Sequence, residues 1–159
     1  LGVHFPSLED KNRYAAEVFC AILGQGMSSR LFKEVREKRG LVYGVKSELD
    51  IGRNYGYIVI WAGCDPQNQD EVIKICKEEF AKMGDLTVEE LGAAKEQVIG
   101  NEIIGSEGSN ETAVHLVMEE FATKAENVYN FEELINNVDL GDVQELANNV
   151  EWAEFWVGP

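Results

Sequence analysis

The sequence predicts an α+β fold in which helices cover a mostly antiparallel sheet. Three observations lead to this prediction. Two β-rich runs, 41–49 and 57–63, flank the turn residues 52–56, and this pattern is typical of an antiparallel hairpin. Stretches with apolar residues at helical spacing precede and follow the hairpin. Short strand-like runs, 2–5 and 155–157, lie near the two ends of the chain.

The first half of the chain predicts a strand, two helices and the hairpin, in that order. A helix over 9–23 has apolar residues at 15, 16, 19, 20 and 23, which form one stripe, and Gly24 ends it. Ser28 or Ser29 is suited to cap a second helix. We expect that helix to end at Gly40, because glycine favours the position just after a helix.

The second half of the chain predicts helices followed by a closing strand. Asp65-Pro66 starts a helix with apolar residues at 72, 76, 80 and 83. Thr87 and Glu90 form a capping box that opens another helix, which residues 105–109 interrupt. Four further elements are then predicted: helical patterns at 113–121 and 131–135, a helix over 143–150 that residues 139–142 open, and the strand at 155–157.

Length and composition predict one domain over residues 1–159. The chain has 159 residues, of which 45% are hydrophobic and 27% charged, as in ordinary globular domains. No apolar stretch reaches the length of a membrane span, and we expect no signal peptide. Because the chain begins at Leu1 within a strand-like run, we expect it to be a fragment.

The charge of the chain disfavours some partners. The formal net charge is −15, and after residue 50 there are 22 acidic residues and 6 basic ones. Nucleic-acid phosphates would be repelled by such a surface, so we expect no nucleic-acid partner. A surface of this charge permits attraction to basic peptides.

The three cysteines predict a reducing environment. Cys20, Cys64 and Cys76 are an odd number with no CxxC pair. Cys20 and Cys76 lie at apolar positions of helical patterns, which predicts buried free thiols. We therefore expect the cytoplasm or an organelle matrix as the location.

Neither a metal site nor a nucleotide site is predicted in this chain. The two histidines are His4 and His115, and the i+4 neighbour Glu119 gives His115 at most one further ligand. Catalytic zinc usually needs three protein ligands. The run Gly24-Gln25-Gly26 follows a helix rather than a strand and lacks a third glycine, so it does not match a dinucleotide fingerprint.

The segment 28–43 contains the candidate functional residues Arg36 and Tyr43. Five basic side chains occur in the ten residues 30–39, and Gly40 then leads into an apolar run. A helix-to-strand turn would bring Arg36, a charged donor, near Tyr43, a phenolic donor, and such a pair can bind a polarised carbonyl. The alternative is an ordinary amphipathic helix whose Arg30, Lys33 and Arg39 pair with acidic groups elsewhere in the domain.

Two runs carry a specific family resemblance: Gly26-Met27-Ser28-Ser29-Arg30-Leu31-Phe32 and Val35-Arg36-Glu37-Lys38-Arg39-Gly40-Leu41-Val42-Tyr43. They resemble the signature of the C-terminal domain of the pitrilysin, insulinase and mitochondrial processing peptidase family of zinc metallopeptidases. The similarity continues at 6–7, 65–66, 86–95 and 142–144, so it covers nearly the whole chain. One departure is Gln25, where many members have glycine.

The resemblance implies a metal-free half of a two-part peptidase. In this family two similar α+β halves face each other across a chamber, and the N-terminal half carries zinc in a His-x-x-Glu-His motif. That motif is absent from this sequence. By resemblance, Arg36 and Tyr43 hold the backbone of a substrate peptide near the scissile carbonyl. The implied partners are a peptide and the zinc-bearing half, in the same chain or another one.

Two alternatives to this function remain open. The chain could be a non-catalytic assembly subunit of the same fold, like the core proteins of the bc1 complex, although the presence of both Arg36 and Tyr43 weighs against this. It could also be a stand-alone peptide-binding module. In every case we expect the chain alone to be inactive as a peptidase, because the zinc ligands and the general base would lie in the other half.

Overall fold

A four-stranded antiparallel sheet forms one layer of the computed structural model, which describes residues 1–158. Its strands are β1 (Gly2–His4), β2 (Val42–Gly52), β3 (Tyr55–Cys64) and β4 (Trp152–Ala153). They lie in the order β2-β3-β1-β4, and each neighbouring pair is antiparallel. The predicted α+β fold with a mostly antiparallel sheet is thus confirmed, and β2 is an edge strand.

Helices form the second layer. In the described part of the chain the six α-helices are α1 (Arg13–Gly24), α2 (Gln69–Ala81), α3 (Val88–Gly105), α4 (Ser109–Ala122), α5 (Phe131–Asn136) and α6 (Leu140–Glu145). A π-helical stretch, Phe32–Glu37, is called the π segment below. Short 3₁₀ turns occupy Pro66–Asn68, Lys82–Asp85 and Ala125–Asn130. Within residues 1–158, none of the helices has the length and apolar character needed to cross a membrane.

The hydrophobic core lies between the helices and one face of the sheet. Along β3, the inward-facing Ile58 and Ile60 are buried. Phe19 of α1 and Phe80 of α2 meet at a ring-centroid distance of 4.9 Å, and Trp152 of β4 packs on Phe80 at the same distance. These contacts join the first helix, the second helix and the last strand into one core.

Gly24 ends α1, as predicted, and the structure gives a further reason for glycine here. A Cβ atom at this position would lie 2.5 Å from the backbone nitrogen of Ser47 in β2. The Ser47 hydroxyl also donates a hydrogen bond of 2.8 Å to the carbonyl of Cys20. The end of α1 therefore packs backbone to backbone on β2, which a larger residue would prevent.

The closing strand was predicted at the wrong place. Residues 155–157 are not a strand; the closing strand is β4, where Trp152 pairs with Val3 and Ala153 with Gly2. The ring of Trp152 packs on the core, whereas the side chains of residues 155–157 are exposed. This difference in burial explains why the closing strand forms at Trp152.

Two predicted helix boundaries were also wrong. The helix expected over 9–23 begins only at Arg13, because residues 7–12 form turns with hydrogen bonds from Asp10 N to Ser7 O and from Arg13 N to Asp10 O. The helix expected over 143–150 is α6, which ends at Glu145. Asn149, with a φ of 53°, lies in the left-handed region, where a right-handed helix cannot continue.

Candidate functional site

The basic segment forms a π-helical turn rather than the α-helix that the sequence predicts. Helical geometry starts at Arg30, and the N–H of Lys38 donates to the carbonyl of Lys33, five residues earlier, at 3.0 Å. An α-helix would place that bond four residues back. Such π-helical turns are rare and occur often at functional sites. Apolar spacing alone gives no sign of this widened turn.

Most cations of this segment are engaged in ion pairs. Arg30 binds Glu90 of α3 through two hydrogen bonds, from Nε to Oε1 at 2.8 Å and from Nη2 to Oε2 at 2.7 Å. Lys38 and Arg39 both pair with Glu34. The alternative interpretation, pairing with acidic groups elsewhere in the domain, therefore holds for Arg30 but not for Arg39, whose partner Glu34 belongs to the same segment, nor for Lys33, which has no ion pair within residues 1–158.

Arg36 differs from these paired cations. Its side chain is exposed, and its guanidinium carbon lies 5.1 Å from the centroid of the Phe32 ring. No acidic side chain pairs with it anywhere in residues 1–158. The Phe32 ring supports the guanidinium from one side and leaves its donors open to a ligand.

Gly40 turns the chain from the π segment into β2, as predicted. Its φ is 62°, and its N–H donates to the carbonyl of Arg36 at 3.0 Å. The next amide, of Leu41, donates to the carbonyl of Val35 at 3.1 Å. Positive φ favours glycine at the end of a helix. This turn places Arg36 and Tyr43 on adjoining elements.

Tyr43 is the extra residue of a β-bulge. In the pairing of β2 with β3, Val42 faces Cys64 and Gly44 faces Gly63, so Tyr43 has no partner in the ladder. Its side chain is 74% exposed. Bulges commonly re-aim a side chain next to an active site. The structure thus places both predicted residues at the surface near the same turn, and no hydrogen bond joins one directly to the other.

Asp65 is a contact of Tyr43 that the sequence analysis missed. The Tyr43 hydroxyl donates a hydrogen bond to Oδ1 of Asp65 at 2.9 Å. This bond, with the charge of the carboxylate, raises the pKa of the Tyr43 phenol. The sequence indicates Asp65-Pro66 only as a helix start, and in the structure Pro66 begins a 3₁₀ turn that leads into α2.

The floor beside Tyr43 is built from two facing glycines. Gly44 and Gly63 pair across β2 and β3, and the Trp61 ring lies above them: Cβ atoms placed on the two glycines would be 3.7 and 3.5 Å from ring carbons. The Trp61 indole therefore lies over the glycine pair, in space that side chains at these two positions would border.

The face of the sheet away from the helices is open and largely aromatic. Tyr55, Tyr57, Val59 and Trp61 alternate along β3 and are all at least 37% exposed. His4 of β1 extends this row, with its ring centroid 4.8 Å from that of Tyr57. The sequence indicates this open apolar face, because β3 has apolar residues on both of its alternating faces. A strand with one face in solvent normally has polar residues on that face.

The histidines take structural roles. His115 Nδ1 lies 2.8 Å from Glu102 Oε1, and Glu119 binds Arg13 at 2.7 Å, so the two residues considered as a possible ligand pair have other partners. Across residues 1–158, no group of three or more His, Cys, Asp or Glu side chains is arranged to hold a metal ion.

Comparison with known proteins identifies the family. Residues 1–98 match the family model described as the peptidase M16 inactive domain. The chain belongs to the peptidase M16 family. A relative in Mycobacterium leprae, named an uncharacterized zinc protease, is 35% identical over 153 residues, which are 94% of this chain and 34% of the relative. The chain spans about a quarter to a third of the length of the curated relatives it matches.

Solved structures agree on the fold of this M16 chain. The peptidase M16 inactive domain from Pseudomonas fluorescens has a TM-score of 0.76 at 24% identity, over 92% of this chain and 36% of that one. A chain of Complex III₂ from Candida albicans has a TM-score of 0.83 at 20% identity, over 95% of this chain and 39% of that one. The resemblance deduced from residues 26–43 is confirmed: this is an inactive C-terminal M16 domain of the kind found in zinc-protease-like proteins.

Proposed function

We propose that this chain is the substrate-binding, metal-free C-terminal part of a zinc-dependent endopeptidase or oligopeptidase. In this role, Arg36 and Tyr43 bind the backbone of the substrate peptide beside the scissile carbonyl. One observation carries the proposal: in a segment whose other arginines are ion-paired, Arg36 has no acidic partner within residues 1–158, and a bulge turns the nearby Tyr43 outward.

The chemistry of the two side chains suits this role. A zinc ion held by the other half would supply polarisation of the carbonyl and activation of water. Arg36 adds a permanent charge and several N–H donors, and Tyr43 adds one directional O–H. Donors that are already oriented toward an oxygen on which negative charge develops stabilise the transition state. The hydrogen bond to Asp65 raises the pKa of Tyr43, which favours the protonated form that can donate.

The surroundings also suit an extended peptide. β2 lies at the edge of the sheet and leaves one row of backbone groups without a strand partner. A peptide can add to such an edge through backbone hydrogen bonds. The exposed aromatic row of β3, including the Trp61 indole that lies over Gly44 and Gly63, offers apolar contact for side chains.

A non-catalytic assembly role is the second candidate function. The similarity in fold to a chain of Complex III₂ favours it, since that chain is part of a larger assembly. An assembly role gives no reason for an Arg36 that has no acidic partner within residues 1–158, nor for a Tyr43 that a bulge turns outward. A stand-alone peptide-binding module would retain the peptide contacts without any catalytic partner.

Kinetics of the complete zinc protease test the proposal. We expect Arg36→Ala to lower kcat/KM by about 10² or more, with kcat carrying much of the loss, because the lost contact acts on the transition state. Arg39→Ala is the matched control, since Arg39 is also exposed but pairs with Glu34. Near-normal kcat/KM for Arg36→Ala, or equal losses in both variants, would refute the role of Arg36.

A further inference from the structure

Asp65 occupies a position where an aspartate normally caps a helical turn. It precedes the 3₁₀ turn Pro66–Asn68, and aspartate is favoured at such a position because its carboxylate accepts hydrogen bonds from the first free backbone amides. Here the side chain makes no cap hydrogen bond. The backbone closes the turn instead, with the N–H of Asn68 donating to the carbonyl of Asp65 at 2.9 Å. Capping therefore does not explain the carboxylate of Asp65.

The carboxylate of Asp65 binds Tyr43 instead. Its Oδ1 accepts the Tyr43 hydroxyl at 2.9 Å, and within residues 1–158 no other side chain donates a hydrogen bond to it. Asp65 also forms no ion pair within residues 1–158. Both Tyr43 and Asp65 are exposed. A ligand that competes for the tyrosine hydroxyl can therefore reach the carboxylate as well.

A substrate contact of Tyr43 would leave Asp65 without its donor. Tyr43 has one proton, so donation to a substrate carbonyl breaks the bond to Oδ1 of Asp65. A charged acceptor that a bound ligand covers is costly to leave without a hydrogen bond. Every peptide residue except proline carries a backbone N–H donor as well as a carbonyl acceptor. The ligand that takes the tyrosine proton can therefore give the carboxylate a new donor.

The spacing of the two oxygens suits one residue of an extended peptide. In an antiparallel ladder, two facing residues exchange both of their N–H···O bonds, so the N–H and the C=O of one extended residue point to the same side. Tyr43 Oη and Asp65 Oδ1 are a donor and an acceptor 2.9 Å apart. They lie at the bulge, where the ladder of β2 and β3 is interrupted. With two side chains, the pair thus offers the donor and acceptor of one strand residue.

We propose that Asp65 binds the substrate by accepting the backbone N–H of the peptide residue whose carbonyl accepts the Tyr43 hydroxyl. On binding, the Tyr43–Asp65 bond is exchanged for two bonds to the peptide, so neither side chain is left without a partner. This inference rests on the proposed function, because it assumes that Tyr43 binds the peptide backbone. It adds to that function a binding residue that lies outside the motif of residues 26–43.

Amide-to-ester replacement in a peptide tests this contact in the complete protease. The probe is a synthetic peptide that the protease cleaves at one bond, and cleavage at that bond is followed by mass spectrometry. Three analogues each carry an ester in place of one of the three amides that precede the scissile bond. An ester lacks the N–H and adds no bulk. For wild type we expect one of the esters to lower kcat/KM about tenfold or more, because hydrogen bonds to charged groups are strong.

The effect of that ester should depend on Asp65. In Asp65→Ala the ester should cost nothing further, and Asp65→Asn, which keeps an acceptor oxygen, should restore part of the difference. Asp50→Ala is the matched control and should keep the full effect of the ester. Asp50 is exposed and accepts the hydroxyl of Tyr55 at 3.5 Å, at the opposite end of the hairpin. The melting temperature of Asp65→Ala should stay near that of wild type, since the Asp65 side chain caps no helix.

Three outcomes would overturn the role of Asp65: no ester that lowers kcat/KM in wild type, an ester that costs wild type and Asp65→Ala equally, or an equal loss of the ester effect in Asp50→Ala. The proposed function is tested separately by Arg36→Ala. A large loss of kcat/KM in that variant, with an ester effect that is independent of Asp65, would refute this inference and leave the proposed function standing. An ester effect that depends on Asp65, with near-normal kcat/KM in Arg36→Ala, would support the Asp65 contact and refute the role of Arg36 alone.

Discussion

The phenolic oxygen of Tyr43 lies 2.9 Å from Oδ1 of Asp65 and donates its proton to that carboxylate. The bond joins the bulge at the start of β2 to the residue just after β3. Tyr43 has one proton to donate, so a hydrogen bond to a substrate carbonyl would replace the bond to Asp65. Asp65 therefore holds the hydroxyl at a defined position until a ligand competes for it.

Removing the charge of Asp65 should lower the pKa of Tyr43. In Asp65→Asn we expect that pKa to fall toward the ordinary tyrosine value, because the carboxylate is the first cause of its increase. Alkaline titration of the ultraviolet phenolate absorbance measures the change. Subtracting the same titration of Tyr43→Phe isolates Tyr43 from the other four tyrosines. An unchanged curve would mean that the Tyr43–Asp65 bond is not formed in solution.

Glu17 should make stability fall as the pH rises. Burial raises the pKa of Glu17 to about 8 from an ordinary 4.5, Arg13 opposes this increase, and Glu102 and Glu119 add to it. Between pH 4.5 and about 8, Glu17 keeps its proton in the folded state and has lost it in the unfolded state. The free energy of unfolding therefore decreases as the pH rises through this range.

Replacing Glu17 by Gln removes this pH dependence. The stability of Glu17→Gln relative to wild type should increase from pH 4.5 to about 8, by on the order of 2–4 kcal/mol, since one pKa unit corresponds to about 1.4 kcal/mol. Urea unfolding at several pH values measures the difference. Parallel pH curves for the two proteins would show that Glu17 ionises normally in the folded state.

Two glycine substitutions should have opposite effects on stability. Gly24→Ala should cost about 2–3 kcal/mol, because its Cβ would meet the Ser47 backbone nitrogen at 2.5 Å. Gly100→Ala should stabilise by about 0.5–1 kcal/mol, because Gly100 lies within α3 with no atom near a new Cβ. Urea midpoints of both variants test the packing of α1 on β2. A neutral Gly24→Ala would contradict that packing.

The chain alone should bind no stoichiometric zinc and should not cleave peptides. His115 and Glu119 are engaged with Glu102 and Arg13, and a catalytic zinc needs about three ligands. Metal analysis of the tag-free chain should give well under one zinc per chain. A bound equivalent that His115→Ala removes, or hydrolysis that a chelator inhibits, would contradict the assignment to the metal-free half.

The sequence predicts the layers of this fold well, because its apolar periodicity and caps are local signals. The Thr87–Glu90 capping box forms as predicted, and Gly40 takes the positive φ expected of a helix end. The closing strand was misplaced because its position depends on the packing of Trp152 against Phe80, a contact between residues far apart in the chain.

The candidate site was predictable only in part. Arg36 and Tyr43 could be selected through the family motif, and their catalytic role stays a prediction. The π-helical turn and the bulge depend on how the segment packs on β2, and no local pattern encodes this. The pairing of Tyr43 with Asp65 spans 22 residues and depends on the register of the hairpin.

A double-mutant cycle in the complete protease tests the central claim most directly. Arg36→Ala, Tyr43→Phe and the double variant are compared with wild type in kcat/KM and in melting temperature. We predict that each single variant loses kcat/KM by about 10²-fold. The loss in the double variant should be smaller than the product of the two single losses, because both donors act on one carbonyl. Melting temperatures should barely move, since both side chains are exposed. Lower melting temperatures with near-normal kcat/KM would contradict the account and make this segment an ordinary structural element.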